Sequence, residues 1–397
     1  MRLAKTNQVL QFCGCFASIL ASIVNLQGQS EINLERLQSN IEPVPIQLEG
    51  FTGEVLQVLT FDLEVMGWDV VPAGKGQFAL IGDRQGGLRG RLVDRLGGDQ
   101  TLFSRQYASG SARQQAHALA NAVVEQVFRQ KGIAHTKIAY KSRGAAGFSE
   151  IYVADYDGFR SQAITKDQSN VAAPTWVPGK LKLFYSSYKL HNCDIFSHDL
   201  MSGRRVAVSR YSGLNTSAAI SADGQRMAMI LSKDGSPDLY VANADGTSLK
   251  ALTKTKEEEA CPCWSPDGKQ ICFTSAAGGG GARLYTVNAS GGAMRRLRAV
   301  GASGTFSEAD WSPDGRWIAF TARMGREFYI CVVAAGGGES AALTPGEDPS
   351  WAPNSRNIVF HRKKNGRKIL SILVVPTKRV KDVPQIMGNS SQPSWAR

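Results

Sequence analysis

The 397-residue sequence predicts a mainly β protein, a six-bladed β-propeller preceded by a small α/β domain. Three observations predict it. The segment PCWSPDGK around Trp264 recurs as ADWSPDGR at Ala309, PSWAPNSR at Pro349, AAISADGQ at Ala218 and PTWVPGK at Pro174, and PSWAR ends the sequence. The anchors Trp176, Ile220, Trp264, Trp311, Trp351 and Trp395 are spaced by 44, 44, 47, 40 and 44 residues, a period typical of propeller blades. The last anchor has no strands after it, while three strand-like segments at 137–142, 150–158 and 161–165 precede the first anchor and lack an anchored strand of their own.

Each repeat reads as four strands. In the unit at Trp264, CPCWS is a short strand, and Ser265-Pro266-Asp267-Gly268 is a turn. Pro fixes φ, Asp hydrogen-bonds its own backbone and Gly accepts positive φ. KQICFTS, RLYTVNA and AMRRLRAV follow as β-rich stretches separated by Gly-rich turns. The other units repeat the pattern, with a less regular fourth strand, KDVPQIM, after Trp351. Five blades are continuous. The sixth is completed when the C-terminal strand pairs with the strand at 137–142, which closes the ring and removes its exposed edges.

Residues 29–135 do not repeat. A strand, a helical stretch with Val55, Val58, Leu59 and Leu63, and a strand at 68–71 lead into three further strands. Residues 111–130 form an amphipathic helix in which Ala116, Leu119, Ala120, Val123 and Val127 keep a 3.6-residue spacing. Ser111 caps it and Lys131-Gly132 stop it. Residues 1–28 read as a secretory signal peptide, with Arg2 and Lys5 before an apolar run from Val9 to Leu26. An uncleaved anchor helix is the competing reading.

Lys and Arg (46) exceed Asp and Glu (34), giving +12, a balance compatible with nucleic acid, an anionic membrane surface or an acidic partner. Export argues against nucleic acid. Beyond the leader the cysteines are Cys193, Cys261, Cys263, Cys272 and Cys331. Cys263 and Cys272 flank one turn, where a disulfide and buried free thiols are both compatible with the pattern.

The chain resembles the TolB family, the periplasmic propeller of the Tol–Pal cell-envelope system. DLEVMGWDVV is similar to a stretch of that family's N-terminal domain. The helix-to-propeller junction carries His117, Ala120, Gly132, Ile138, Ala139 and Tyr140 at matching places, and EIYVADYDG with the WSPDG units (WD40-like PD40 repeats) completes the pattern. The resemblance covers nearly everything after the leader. It implies a periplasmic, monomeric scaffold, peripheral to the envelope membranes. The propeller would bind a peptidoglycan-associated lipoprotein, and the N-terminal region would meet an inner-membrane Tol protein. The implied role is outer-membrane integrity and constriction at division.

No catalytic constellation, metal-ligand set or cofactor motif is evident. Gly301-Ala302-Ser303-Gly304-Thr305 lacks the last glycine of a nucleophile turn. The five histidines are scattered, and Asp155-x-Asp157-Gly158 lacks the later ligands of a calcium loop, so it reads as a strand-ending turn. Expectation therefore falls on binding at the channel mouth where six inter-blade loops converge: Asn170, Val171, Leu214, Asn215, Glu258, Glu259, Ser307, Glu308, Glu347, Asp348, Ser391 and Gln392. Several are acidic, giving a local negative field. The basic hairpin 362–368 reads as a solvated turn on the ring's exterior, with contact to anionic polymer or headgroups as its functional alternative. The alternative function is a propeller hydrolase or lyase acting on glycan or peptide.

Overall fold

The computed structural model describes residues 42–83, 86–144, 147–386 and 388–397, so the leader assigned to residues 1–28 lies outside the described residues. The chain divides into two compact units, Met1–Ala134 and His135–Arg397. Among the described residues, no helix is long and apolar enough to cross a membrane.

In the first unit a five-stranded sheet runs in the order Trp68–Val70, Val44–Glu49, Phe78–Asp83, Leu88–Asp94, Gln100–Tyr107. The first two pairings are parallel and the rest antiparallel. Helices Gly53–Val65 and Ala112–Phe128 pack on one another. Val55, Val58, Leu59, Leu63, Ala116, Leu119, Ala120 and Val123 are buried, as their spacing requires, while Val127, near the helix end, is half-buried. Ser111 and Gln114 form a capping box. The helix ends earlier than its sequence signals suggest, because Arg129 adopts the left-handed conformation (φ 56°) directly after Phe128. Gly90 lets this helix approach the sheet: a Cβ there would lie 2.5 Å from Leu119. Between the helices, Asp62 is fully buried and meets His117 Nδ1 at 2.7 Å.

The second unit is a ring of six blades, antiparallel except in blade 5, where Ala299–Val300 adds a fifth strand parallel to Gly338–Pro345. Of the stretch AMRRLRAV only Arg295–Arg296 pairs in blade 4, and its end passes to blade 5. Blade 1 contains Asn389–Trp395, Lys137–Arg143, Ser149–Asp155 and Gln162–Ala163. Blades 2, 3, 4, 5 and 6 begin with the inner strands Val171–Trp176, Asn215–Ile220, Glu259–Trp264, Thr305–Trp311 and Glu347–Trp351. Closure occurs where the sequence places it, with Trp395 opposite Ile138 and Ser394 opposite Ala139. Trp395 is 2% exposed, and its indole N–H donates to Thr136 Oγ1 at 2.8 Å. The Asp157-Gly158 segment is a turn: Asp157 Oδ1 accepts from Phe159 N and Gly158 has φ 89°.

The outer strands differ from expectation. Those of blades 1, 3 and 4 pair over two residues each, whereas the outer strand after Trp351, expected to be the weakest, spans Arg379–Asp382. Asp382 explains this, since it accepts from Ser371 Oγ, Arg362 and Lys364 and ties the strand inward. The turns after Ile220, Trp264 and Trp311 keep one hydrogen-bond scheme. Asp267 Oδ1 accepts from Ser265 Oγ and Lys269 N, Ser265 Oγ accepts from Gln270 N, and Gly268 has φ 67°. In the turn after Trp351, Asn354 replaces the aspartate as acceptor and Ser355 takes the positive φ (55°). Cys263 and Cys272 are directly opposed in register, and both are buried free thiols.

Candidate functional site

Every inner strand carries one irregularity at the same place. Three residues before each anchor, Ala173, Ser217, Cys261, Glu308, Asp348 and Gln392 have φ of 50°, 54°, 50°, 55°, 59° and 49°. Each sits inside a register shift of its strand pair, so each is a β-bulge residue. Left-handed backbone is unfavourable for any side chain, and six non-glycine residues adopt it here.

Hydrogen bonds between blades offset that strain around half the ring. Glu308 Oε2 accepts from Asp348 N at 2.9 Å, Asp348 Oδ2 from Gln392 N at 2.9 Å, and Gln392 Oε1 from Ala173 N at 3.1 Å. Each side chain thus holds the amide of the next blade's bulge. Below this ring lies a channel cavity of about 400 Å³, extending to Pro266 and Pro313 of the WSPDG turns. Pro174, Pro262, Pro349 and Pro393 supply apolar wall, and an Asp310–Arg397 ion pair crosses it. Asp310 also accepts from Trp351 N at 2.7 Å.

The acids of the ring differ in charge state. Burial and the negative charge of Asp348 push the Glu308 carboxyl up to about 8. Burial alone would raise Asp348 too, but the bonding to His361 outweighs it and holds Asp348 low. His361 is 1% exposed, with Nδ1 2.8 Å from Asp348 Oδ2 and Nε2 3.4 Å from Glu347 Oε1. Glu308 is therefore a neutral acid beside an ionised one at pH 7, and it also accepts from Thr321 Oγ1 at 2.6 Å. Burial pushes the Cys261 and Cys331 thiols up to about 12, which makes both poor nucleophiles.

The structure places the twelve expected mouth residues unevenly. Asn170, Val171, Leu214, Asn215, Glu258 and Glu259 stand six and five residues before their anchors, whereas Ser307, Glu308, Glu347, Asp348, Ser391 and Gln392 stand four and three before theirs. Glu308, Asp348 and Gln392 come together in the bulge ring, and Glu347 joins them through His361. Asn170 and Glu258 are exposed, Leu214 and Ser307 are half-buried, and Val171 is buried. Asn215 is fully buried and fastens its own loop, accepting from Ser209 Oγ and Tyr211 N. Glu259 is also buried, where it accepts from Ser275 Oγ and Thr255 Oγ1, and burial beside Asp238 pushes it up to about 7. Sequence reasoning missed the ring members Ala173, Ser217 and Cys261 and the partner His361. Fixed counting back from each anchor finds the first three, and only the pairing of Glu347 with His361 finds the last.

The hairpin is exposed over 363–367, as a solvated turn is. Arg362 and Lys364 pair with Asp382, but Lys363 and Lys368 line a second cavity at the mouth with Lys141, Arg143, Asn170 and Ser391. That part of the mouth is positive, not negative.

The family described as the TolB beta propeller domain, built of PD40 repeats, matches residues 124–397. The chain belongs to this family. It is 30% identical over 288 residues to the Tol-Pal system protein TolB of Bordetella parapertussis, covering 71% of this chain and 64% of that protein. The Bordetella pertussis protein of the same name is 29% identical over 287 residues, with 71% and 65% covered. The matched region thus spans just under two thirds of these relatives' length. The crystal structure of TolB from Acinetobacter baumannii superposes with a TM-score of 0.79 at 22% identity, covering 90% of this chain and 97% of that one. This likeness shows the shared TolB fold.

Proposed function

We propose that this chain is a non-enzymatic, periplasmic scaffold of the Tol–Pal system. The mouth at the start of the inner strands docks a peptidoglycan-associated lipoprotein. The N-terminal region meets an inner-membrane Tol protein, and the assembly supports outer-membrane integrity and constriction at division. The chain acts as a monomer at the envelope and takes no nucleic acid. The observation that carries this reading is the alignment with relatives named Tol-Pal system proteins across 71% of the chain. The engaged state of the channel acceptors agrees with it: the carboxyls of Glu308 and Asp348 and the amide oxygen of Gln392 accept from neighbouring blades, which suits a rigid docking ring better than a reaction centre.

Cross-linking in intact envelopes tests this. The proposal expects a peptidoglycan-associated lipoprotein among the adducts of a cross-linker placed at Glu258. Adducts confined to unrelated proteins would overturn it. The hydrolase or lyase reading draws on one observation, the buried His361 beside Asp348 and Glu347. Turnover of oligoglycans or peptides by the purified chain, lost on His361→Ala, would favour that reading instead.

A further inference from the structure

We propose that the second cavity is a binding site for a compact polyanion of the phosphate class, a site that goes beyond the Tol–Pal reading and does not rest on it. The cavity measures about 570 Å³ and lies where blade 6 meets the closing blade. Its lining includes Lys141, Arg143, Lys363 and Lys368 and contains no carboxylate. A volume of this size suits a small ligand.

Strand alternation sorts the charges of the hairpin. Arg362 and Lys364, on one face, both meet Asp382 at 2.6 Å. Lys363 and Lys368, on the other face, are directly opposed in register. Among the described residues, neither makes an ion pair, nor do Lys141 and Arg143. Like charges directly opposed across a ladder repel each other. Burial lowers the Lys141 ammonium, and Lys368 and Arg143 lower it further, while Asp348 acts in the opposite sense. The arrangement is therefore a set of four cations at one cavity, none in an ion pair, with Asp348 acting on Lys141 from a distance.

The site is also fixed across two blades. Asn389 Oδ1 accepts from Lys368 N at 3.1 Å and ties the hairpin to the closing strand. Asn389 stands opposite Arg143, and Ser391 opposite Lys141. One guanidinium fork with three ammonium groups, flanked by the amides of Asn170 and Asn389, matches a ligand with several negative charges on closely spaced oxygens. A single carboxylate would neutralise one cation of four; a pyrophosphate-like group meets them together.

Inorganic pyrophosphate titrated into the full chain at low ionic strength tests the site by calorimetry. Saturable binding at one site is expected. Lys368→Gln and Arg143→Gln, on different blades, are each expected to weaken it tenfold or more. Lys364→Gln, on the Asp382 face, is expected to leave it unchanged. Absence of saturable binding, or equal weakening by all three variants, would overturn the proposal. A second arm distinguishes the source of the phosphate. Co-sedimentation with phosphatidate vesicles, displaced by pyrophosphate, supports the site with a lipid headgroup as ligand. Pyrophosphate binding without co-sedimentation supports it with a soluble ligand.

Discussion

Glu308 is a residue whose chemistry the fold changes. Its carboxyl sits near 8 in the folded chain against an ordinary value of 4.5, and Glu259 sits near 7. Both acids bind a proton when folded that they release when unfolded, so their contribution to stability is complete below about pH 4.5 and is lost as pH rises through 7 and 8. We expect the melting temperature to fall between about pH 5 and about pH 8.5. Glu308→Gln, which stays neutral, should flatten that slope, and an unchanged slope in the variant would contradict the assignment. Asp348 acts in the opposite window: its lowered carboxyl adds stability above the unfolded value, lost as pH falls through the folded one. None of this was legible in the sequence. Glu308 and Asp348 were marked as mouth residues by their place before an anchor, but protonation depends on a desolvating neighbour that no spacing reveals.

The blade is the element that the sequence specifies best. Its turn residues act directly on the backbone, so Ser265, Asp267 and Gly268 announce their role. Gly268→Ala forces a Cβ onto φ 67° and is expected to cost about 1 kcal/mol in chemical denaturation. The same change at Gly366, in the basic hairpin at φ 76° with open space around it, should cost a similar amount, because the backbone term dominates. The bulge is the opposite case. Its six positions hold Ala, Ser, Cys, Glu, Asp and Gln, so no residue type marks it. Main-chain geometry and inter-blade hydrogen bonds impose the left-handed conformation, and a single strand carries no signal of its neighbours. Outer-strand length escaped for a related reason: the Arg379–Asp382 strand is held by the side-chain network on Asp382, not by strand propensity.

At the level of the ring, closure was fully legible because it is a counting argument: five complete units, one orphan anchor and three orphan strands. The structure adds the lock. Trp395 combines a buried indole, a hydrogen bond to Thr136 and stacking on Tyr156 at 6.2 Å. Trp395→Ala is expected to cost about 3–5 kcal/mol, read as a lowered denaturation midpoint. Two further anchors latch adjacent blades, Trp176 donating to Ser394 O and Trp264 to Ala219 O. Ile220 cannot donate such a bond, and Trp311 does not: its indole N–H donates to Gly315 O of its own turn. The mouth proved less legible than the ring. The same loops deliver acidic residues to the channel and leave Lys141, Arg143, Lys363 and Lys368 together at one side, a juxtaposition that arises only when blade 6 meets the closing blade.

The most direct test is a calorimetric titration of the full chain with the peptidoglycan-associated lipoprotein of its own envelope. Substitutions are compared on the two faces of the ring. The account predicts saturable binding that Glu258→Lys and Asn170→Ala weaken at least tenfold, with Asp267→Ala and Lys269→Glu on the turn face leaving the affinity unchanged. No binding, or binding lost only on the turn face, would contradict it.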